Sequence, residues 1–344
     1  MKLNKNRVKK FFSMANVDAL LIRDENVNYF IESNKDLSEN WLFLKENKAV
    51  LFCSQLSPVE TKAKGIEIVK LKSKKEFLSF LDKEKGKIAL NFSSLTLNTK
   101  KKLRLKRPIN AEKILGKLRA VKEEKEIGRI KIAQKIAERL INKVPQLIER
   151  NTTEAELKAL LEFEVKRKAI DTAFEFIVAS GRNSSIPHAL SFNKKIRNGF
   201  LLIDLGIKWK NYCSDTSRTF FVGKATRKER EIYKKVLKLK ELAEENIRPG
   251  EKAAEIFERI NKEAKKILKQ ELKHGLGHGI GLRVHDYPVG FLADSKDVIM
   301  KGNVFTVEPA YYGKEGGVRI EDVIVVKSRK IKKLSNAPRE LIEI

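Results

Sequence analysis

From about residue 111 onward this 344-residue chain spells one plan twice, two helices and then a β-hairpin. In the first half, apolar residues recur at helical spacing between Ala111 and Ile148 (Ile127, Ile130, Ile136, Leu140, Val144, Leu147), which predicts a helix ending near Ile148. Thr153 and Glu156 then form a capping box that opens a second helix. After Phe174–Ser180, FLLIDLGIKW turns at Lys210–Asn211 and returns as SDTSRTFFV. In the second half a helix spans Lys228–Ile247, with Ile232, Val236, Leu239 and Ala243 on one face. Pro249-Gly250 ends it, and another helix runs from Ala253 to Gln270. NVFTVEPAYY then returns as GGVRIEDVIVV. The repetition is of pattern, not of residue identity, and predicts an internally duplicated domain with a pseudo-two-fold arrangement.

Residues 1–110 read differently. Val17–Ile22, Ala49–Phe52, Ile66–Leu71 and Ile88–Leu90 have the character of buried strands, and Lys75–Leu81 that of a helix between them. The alternation predicts a small α/β domain, with a boundary at residue 110 just after Pro108. With 42% hydrophobic residues and 18 Gly and 8 Pro, the chain is not low-complexity or disordered. No apolar run approaches the roughly 20 residues that span a bilayer, so no membrane association is expected. Ser13, Asn16 and Asp18 interrupt the apolar stretch near the amino terminus, so a secretory signal is not expected either. Cys53 and Cys213 are the only cysteines, which suits a reducing cytoplasm. The net charge of +28 would attract polyanions, but its one dense run, Lys100–Arg107, lacks interleaved aromatics. That run reads as a solvated linker or strand edge, and nucleic acid is not an expected partner.

The chemistry sits in the hairpins. Each carries two carboxylates inside apolar strands: Asp204 with Asp215 eleven positions later, and Glu308 with Glu321 thirteen positions later. A short hairpin turn would set such positions across from each other. Ionised carboxylates in a low-dielectric interior are strongly unfavourable unless paired or bound to metal. Arg319 alone cannot neutralise four of them, so one or two divalent cations are the economical reading. Three of the four histidines, His274, His278 and His285, fall within twelve residues, in HGLGHGIGLRVHDYP; the fourth is His188. Glycines between them let backbone approach closely. Imidazole suits Zn, Mn, Co or Fe, while a carboxylate-rich set favours harder metals such as Mn.

The segments LLIDLG, SDTSRTF, HGLGHGIGL, TVEPAYY and GGVRIEDV, in that order, resemble the pita-bread metallopeptidase family of prolidase, aminopeptidase P, creatinase and methionine aminopeptidase. The resemblance covers residues 111–344. The DALLI and NVNYF segments resemble the amino-terminal domain of the prolidase and aminopeptidase P branches. The implied fold class is α/β (α+β), a creatinase-type domain over 1–110 followed by a pita-bread catalytic domain. Carried over residue by residue, the resemblance implies two divalent ions per subunit, Mn or Co ahead of Zn or Fe. Asp204 would bind one ion, His278 and Glu308 the other, and Asp215 and Glu321 would bridge them. Glu308 would also shuttle a proton, His188 and His285 would face the substrate, and Arg319 would orient a ligand carboxylate. The implied activity is hydrolysis of Xaa-Pro bonds in a cytoplasmic homodimer, as an Xaa-Pro dipeptidase or, alternatively, an Xaa-Pro aminopeptidase acting on longer peptides. A catalytically silent pita-bread binding protein is the rival from another class.

Two departures bear on that choice. Several short microbial prolidases have H-E-x-P-R where this chain has His285-Asp286-Tyr287-Pro288-Val289. An Arg in place of Val289 would pair with the free carboxylate of a dipeptide. Either Arg283 substitutes for it, or the enzyme prefers longer peptides. Cys213, two residues before Asp215, reads as a small buried side chain.

Overall fold

A computed structural model describes residues 1–59 and 62–344. The chain divides into two compact units, Met1–Arg119 and Ala120–Ile344. The first is built on a six-stranded mixed sheet in the order Glu67–Leu71, Lys48–Ser54, Trp41–Lys45, Ala19–Ile22, Ile88–Leu90, Ile109–Asn110. The expected strands are all present, with ends shifted by a residue or two. The helix Lys74–Lys83, capped by the Ser73 hydroxyl, packs Phe77 and Leu81 against Leu21, Phe43 and Phe52. The basic run differs from its expectation in form: Lys100–Lys102 end a short helix, Leu97–Lys102, and Arg104 and Arg107 follow at φ 55° and 50°. It is a solvated helix end and turn leading into an edge strand, not itself a strand edge.

Helical spacing from Ala111 to Ile148 gives three helices rather than one, Glu112–Ala120, Glu124–Ile141 and Val144–Leu147. The first stays with the amino-terminal unit, because the Tyr29 hydroxyl donates to Leu118 O (3.1 Å) and Arg119 pairs with Glu25 (2.6 Å). This contact places the unit boundary after Arg119. The break that follows has a local cause, Glu123 N–H donating to the Glu126 carboxylate (2.9 Å). It also has a distant one, Lys122 N–H donating to Gly302 O (2.9 Å). Pro145 opens the last piece.

In the second unit each helix pair backs one hairpin. Ala133 and Ala137 of Glu124–Ile141, and Leu157 and Leu161 of Glu154–Lys166, pack on Val178, Leu201 and Ile203. In the other half, Val236, Leu239 and Ala243 of Arg227–Asn246 and Ile256 and Ile260 of Ala253–Leu268 pack on Phe305, Val307 and Ile324. The predicted capping box is present, with Thr153 N–H donating to the Glu156 carboxylate (2.8 Å) and Glu156 N–H to the Thr153 hydroxyl (3.2 Å).

The first hairpin pairs Gly199–Leu205 with Thr216–Val222 and, in the same register, Ile207–Trp209 with Tyr212–Cys213. Its turn residues Lys210 and Asn211 both have positive φ (47° and 72°), as a tight two-residue hairpin turn requires. The second pairs Val304–Val307 with Asp322–Val326 and Ala310–Gly313 with Gly316–Arg319, again in one register through a break. Pro309, which has no N–H to give, lies in that break. Among the described residues no helix is long and apolar enough to cross a membrane.

Candidate metal centre

The register corrects the placing of the first carboxylate pair. Asp204 lies opposite Ser217, not Asp215. Asp215 lies two positions further along the same face, so the two side chains lean together diagonally. In the second hairpin the expectation holds: Val307 faces Asp322 and Ala310 faces Arg319, so Glu308 lies across from Glu321. Neither glutamate spends its N–H on its own hairpin. Glu308 N–H donates to Leu276 O (2.8 Å) in the histidine-rich segment, and Glu321 N–H to Ser217 O (3.1 Å) in the first hairpin. These two bonds stitch the three sequence regions into one floor.

His278 rises from a two-residue strand, Gly277–His278, paired with Gly290–Phe291. Its N–H donates to the Thr306 hydroxyl (2.9 Å), fixing it beside the second hairpin. The flanking glycines are required here. A Cβ on Gly277 would lie 2.0 Å from Thr306 O, and one on Gly279 would lie 2.0 Å from Pro288 O. His278 Nε2 is 3.5 Å from both Asp215 Oδ2 and Glu308 Oε1. Asp215, His278 and Glu321 each offer a ligand atom within 4.8 Å of the others. Asp204 and Glu308 flank this trio. Asp204 Oδ2 accepts from Arg319 Nη2 (2.6 Å), and Glu308 Oε1 accepts from the Thr306 hydroxyl (3.2 Å).

The electrostatics are those of a site built for cations. Burial, with the nearby charges of Asp204 and Glu308, pushes Asp215 well above the usual carboxylate range. Burial does the same to Glu321, reinforced by Asp215. Burial also works against the charge on Glu308, but His278, His274 and Arg319 outweigh it and hold that carboxyl below its ordinary value. Arg319 is buried too, yet Asp204 and its other acidic neighbours keep it charged. One arginine cannot serve four carboxylates, and Asp204 Oδ1 and Asp215 Oδ1 are buried with no hydrogen-bond partner. Two unserved oxygens among carboxylates and an imidazole fit a divalent cation, whose bonds would replace the missing ones.

All eight predicted site residues line one cavity of about 670 Å³, with His188 and His285 at its exposed edge. His285 stacks on His278 with ring centroids 3.9 Å apart. Desolvation and the adjacent His278 lower its pKa. Arg319 also donates to Pro187 O (3.1 Å) and to the Tyr312 hydroxyl (2.7 Å), and that hydroxyl lies 3.0 Å from His274 Nε2. Phe174, Ile177, Val284 and Leu292 form the apolar walls. Cys213 is buried, as expected, with its thiol directed at Leu282 O (3.7 Å).

With this geometry in place, comparison with known proteins is decisive. The description "Metallopeptidase family M24" matches residues 128–328, and "Creatinase/Prolidase N-terminal domain" matches 5–121. The chain belongs to metallopeptidase family M24. An Xaa-Pro dipeptidase of Pyrococcus horikoshii is 32% identical over 99% of this chain and all of that protein. The solved prolidase from the same organism superposes with a TM-score of 0.89 at 32% identity, covering 98% of this chain and 99% of that one. An X-Pro aminopeptidase from Thermotoga maritima superposes at 0.87 with 28% identity, covering 97% and 100%. The M24 catalytic unit therefore has the pita-bread fold, and divalent metal use comes with the family.

Sequence reasoning missed four members of this site. Ser217 donates to Glu321 Oε2 (2.8 Å) and accepts from Arg319 Nε (2.8 Å), while Thr306 and Tyr312 serve as described. The fourth is Lys240. This lysine is wholly buried and donates to Val307 O (2.9 Å), pairing with Asp322 (3.3 Å) and Glu244 (3.1 Å) behind the glutamate strands. Serine and threonine are common in strands, so nothing set the hydroxyls apart. A lysine within an apolar helix face was the one visible signal.

Proposed function

We propose that this M24 protein is a dinuclear metal-dependent exopeptidase that hydrolyses Xaa-Pro bonds, acting as an Xaa-Pro dipeptidase. The observation that carries the reading is the meeting of Asp215, His278 and Glu321, flanked by Asp204 and Glu308, with two buried carboxylate oxygens unserved. In this assignment Asp204, Asp215, His278, Glu308 and Glu321 would together hold the two ions. The carboxylate-rich set favours a harder metal such as Mn, and the family resemblance places Mn or Co ahead of Zn or Fe. When bound, the two cations supply Lewis acidity and bring the pKa of a water near neutrality.

The chain's own groups do the rest. Glu308, kept ionised by His278, His274 and Arg319, accepts the proton of the attacking water. It then delivers that proton to the proline nitrogen, which has none of its own as an amide. His188 and His285, on the cavity rim, direct donors at the oxygen that becomes negative. Arg319 fixes the carboxylate of Asp204, and the apolar walls exclude water from the proline ring. A cytoplasmic homodimer belongs to the same reading. The two buried thiols support the compartment, and the dimer rests on the family resemblance.

One observation favours a second reading, an Xaa-Pro aminopeptidase. Val289 presents an apolar, half-exposed side chain to the cavity, leaving Arg283 as the rim cation for a dipeptide carboxylate. The deciding experiment follows product release from Xaa-Pro dipeptides and from tripeptides with proline second, before and after chelation and metal reloading. Dipeptide turnover that is lost on chelation and restored by Mn or Co is expected. Negligible dipeptide turnover beside good tripeptide turnover would establish the aminopeptidase instead.

A further inference from the structure

Glu154 is wholly buried at the start of the helix Glu154–Lys166, away from the metal ligands and unused by the chemistry above. Its Oε1 accepts from Ser180 N–H (2.6 Å) and from the Ser180 hydroxyl (2.8 Å). Its Oε2 accepts from Asn183 Nδ2 (2.8 Å) and from Phe192 N–H (3.1 Å). Four donors and the positive end of a helix offset the cost of burying this carboxylate. The three donor residues bracket residues 180–192, the segment that carries His188. Asn183 Nδ2 also donates to Leu190 O (2.8 Å), tying the two ends of the segment to each other. Between these anchors Ile186 and Leu190 are exposed (53% and 66%), while Ser184 is buried and accepts from Gly317 N–H (2.8 Å), and Pro187 O accepts from Arg319 (3.1 Å). The second hairpin thus holds the middle of the segment, and Glu154 holds its two ends.

We propose that Glu154 is a positioning residue for the peptidase reaction. It draws together both ends of the 180–192 segment and so sets His188 against the cavity. This inference rests on the reading of His188 as substrate-facing. Glu154→Gln keeps the shape but turns a donor toward donors. It is expected to lower kcat about tenfold, as loss of an outer support does, with metal content unchanged. Amide hydrogen exchange over 180–192 should quicken by about tenfold or more, reporting local opening without reference to activity.

On a His188→Ala background Glu154→Gln should cost less than about twofold, because residues acting through one another are not additive. Asn183→Ala removes one anchor only. It should move kcat and exchange the same way by less, and it carries the test if Glu154→Gln does not fold. Wild-type kcat or unchanged exchange in the folded variants, or a loss that multiplies in full on His188→Ala, overturns the inference. A His188→Ala enzyme with undiminished turnover overturns the reading of His188 and this inference with it. An impaired His188→Ala beside a silent Glu154→Gln overturns this inference alone.

Discussion

In the first hairpin Asp204 faces Ser217 and Asp215 stands two positions along the same face, whereas in the second Glu308 faces Glu321 directly. The backbones are alike, with two antiparallel ladders sharing a register through a break. The side chains are supported differently. Asp204 is held by Arg319, which comes from the other hairpin. The second hairpin is braced from behind by buried charges. Asp322, beside Glu321, pairs with Arg218 (2.6 Å), Arg339 (2.5 Å) and Lys240, and these cations hold its carboxyl well below the usual range despite its burial. The duplication therefore repeats a frame, and the halves have been fitted to separate tasks within it. Each pair takes support from the other hairpin, Asp204 from Arg319 and Glu321 from Ser217, but only the face-to-face pair is also backed by a cluster of cations around Asp322.

If the two hairpins share one cation cluster despite this asymmetry, removing one carboxylate from each should do equal damage. Asp215→Ala and Glu321→Ala are each expected to lower turnover by at least about 1,000-fold, the loss of several kcal/mol of charge stabilisation. Each should also lower the metal bound per chain, read by elemental analysis after dialysis. A near-normal Asp215→Ala enzyme with full metal content beside a dead Glu321→Ala enzyme would show that the second hairpin works alone.

Much of this frame was legible locally. The Lys210–Asn211 turn, the Thr153 cap and the Pro249-Gly250 stop are set by residues next to one another, and so are the apolar runs that put carboxylates on strands. The clustering of histidines among glycines was equally plain. What escaped depends on partners far along the chain. The helix break at Lys122 answers to Gly302, and the register offset of Asp204 is fixed by the turn and break together. The hydroxyls of Ser217 and Thr306 matter only because Glu321 and His278 arrive beside them. Periodicity in one segment carries no trace of such a partner.

The link from the second hairpin to the first is the next to test. Arg319→Gln removes the charge that holds Asp204 while leaving a side chain able to reach the Tyr312 hydroxyl. Turnover should fall about 10- to 100-fold, the usual effect of losing an outer support of a metal ligand. Metal binding should weaken less than in Asp215→Ala. An Arg319→Gln enzyme as inactive and metal-free as Asp215→Ala would place Arg319 in the frame itself, and the hairpins would no longer differ in how their carboxylates are backed.

The smallest effect is expected from Thr306→Val, which deletes one hydroxyl of the second hairpin at constant shape. That hydroxyl accepts from His278 N–H and donates to Glu308 Oε1, so it favours the ionised form of Glu308. Removing it raises the Glu308 pKa, and protons then compete better with metal for that carboxylate. Metal uptake by the metal-free enzyme, followed against pH, should have its midpoint moved upward by about one unit, the worth of a hydrogen bond to a charged group. Ser217→Ala, which deletes the hydroxyl serving Glu321 from the first hairpin, gives the matching measurement. A shift from Thr306→Val with none from Ser217→Ala would confine the tuning of the ligands to the braced hairpin. Equal shifts would mean that each hairpin tunes the second pair, and a downward shift from Thr306→Val would contradict the assigned direction of its hydrogen bond.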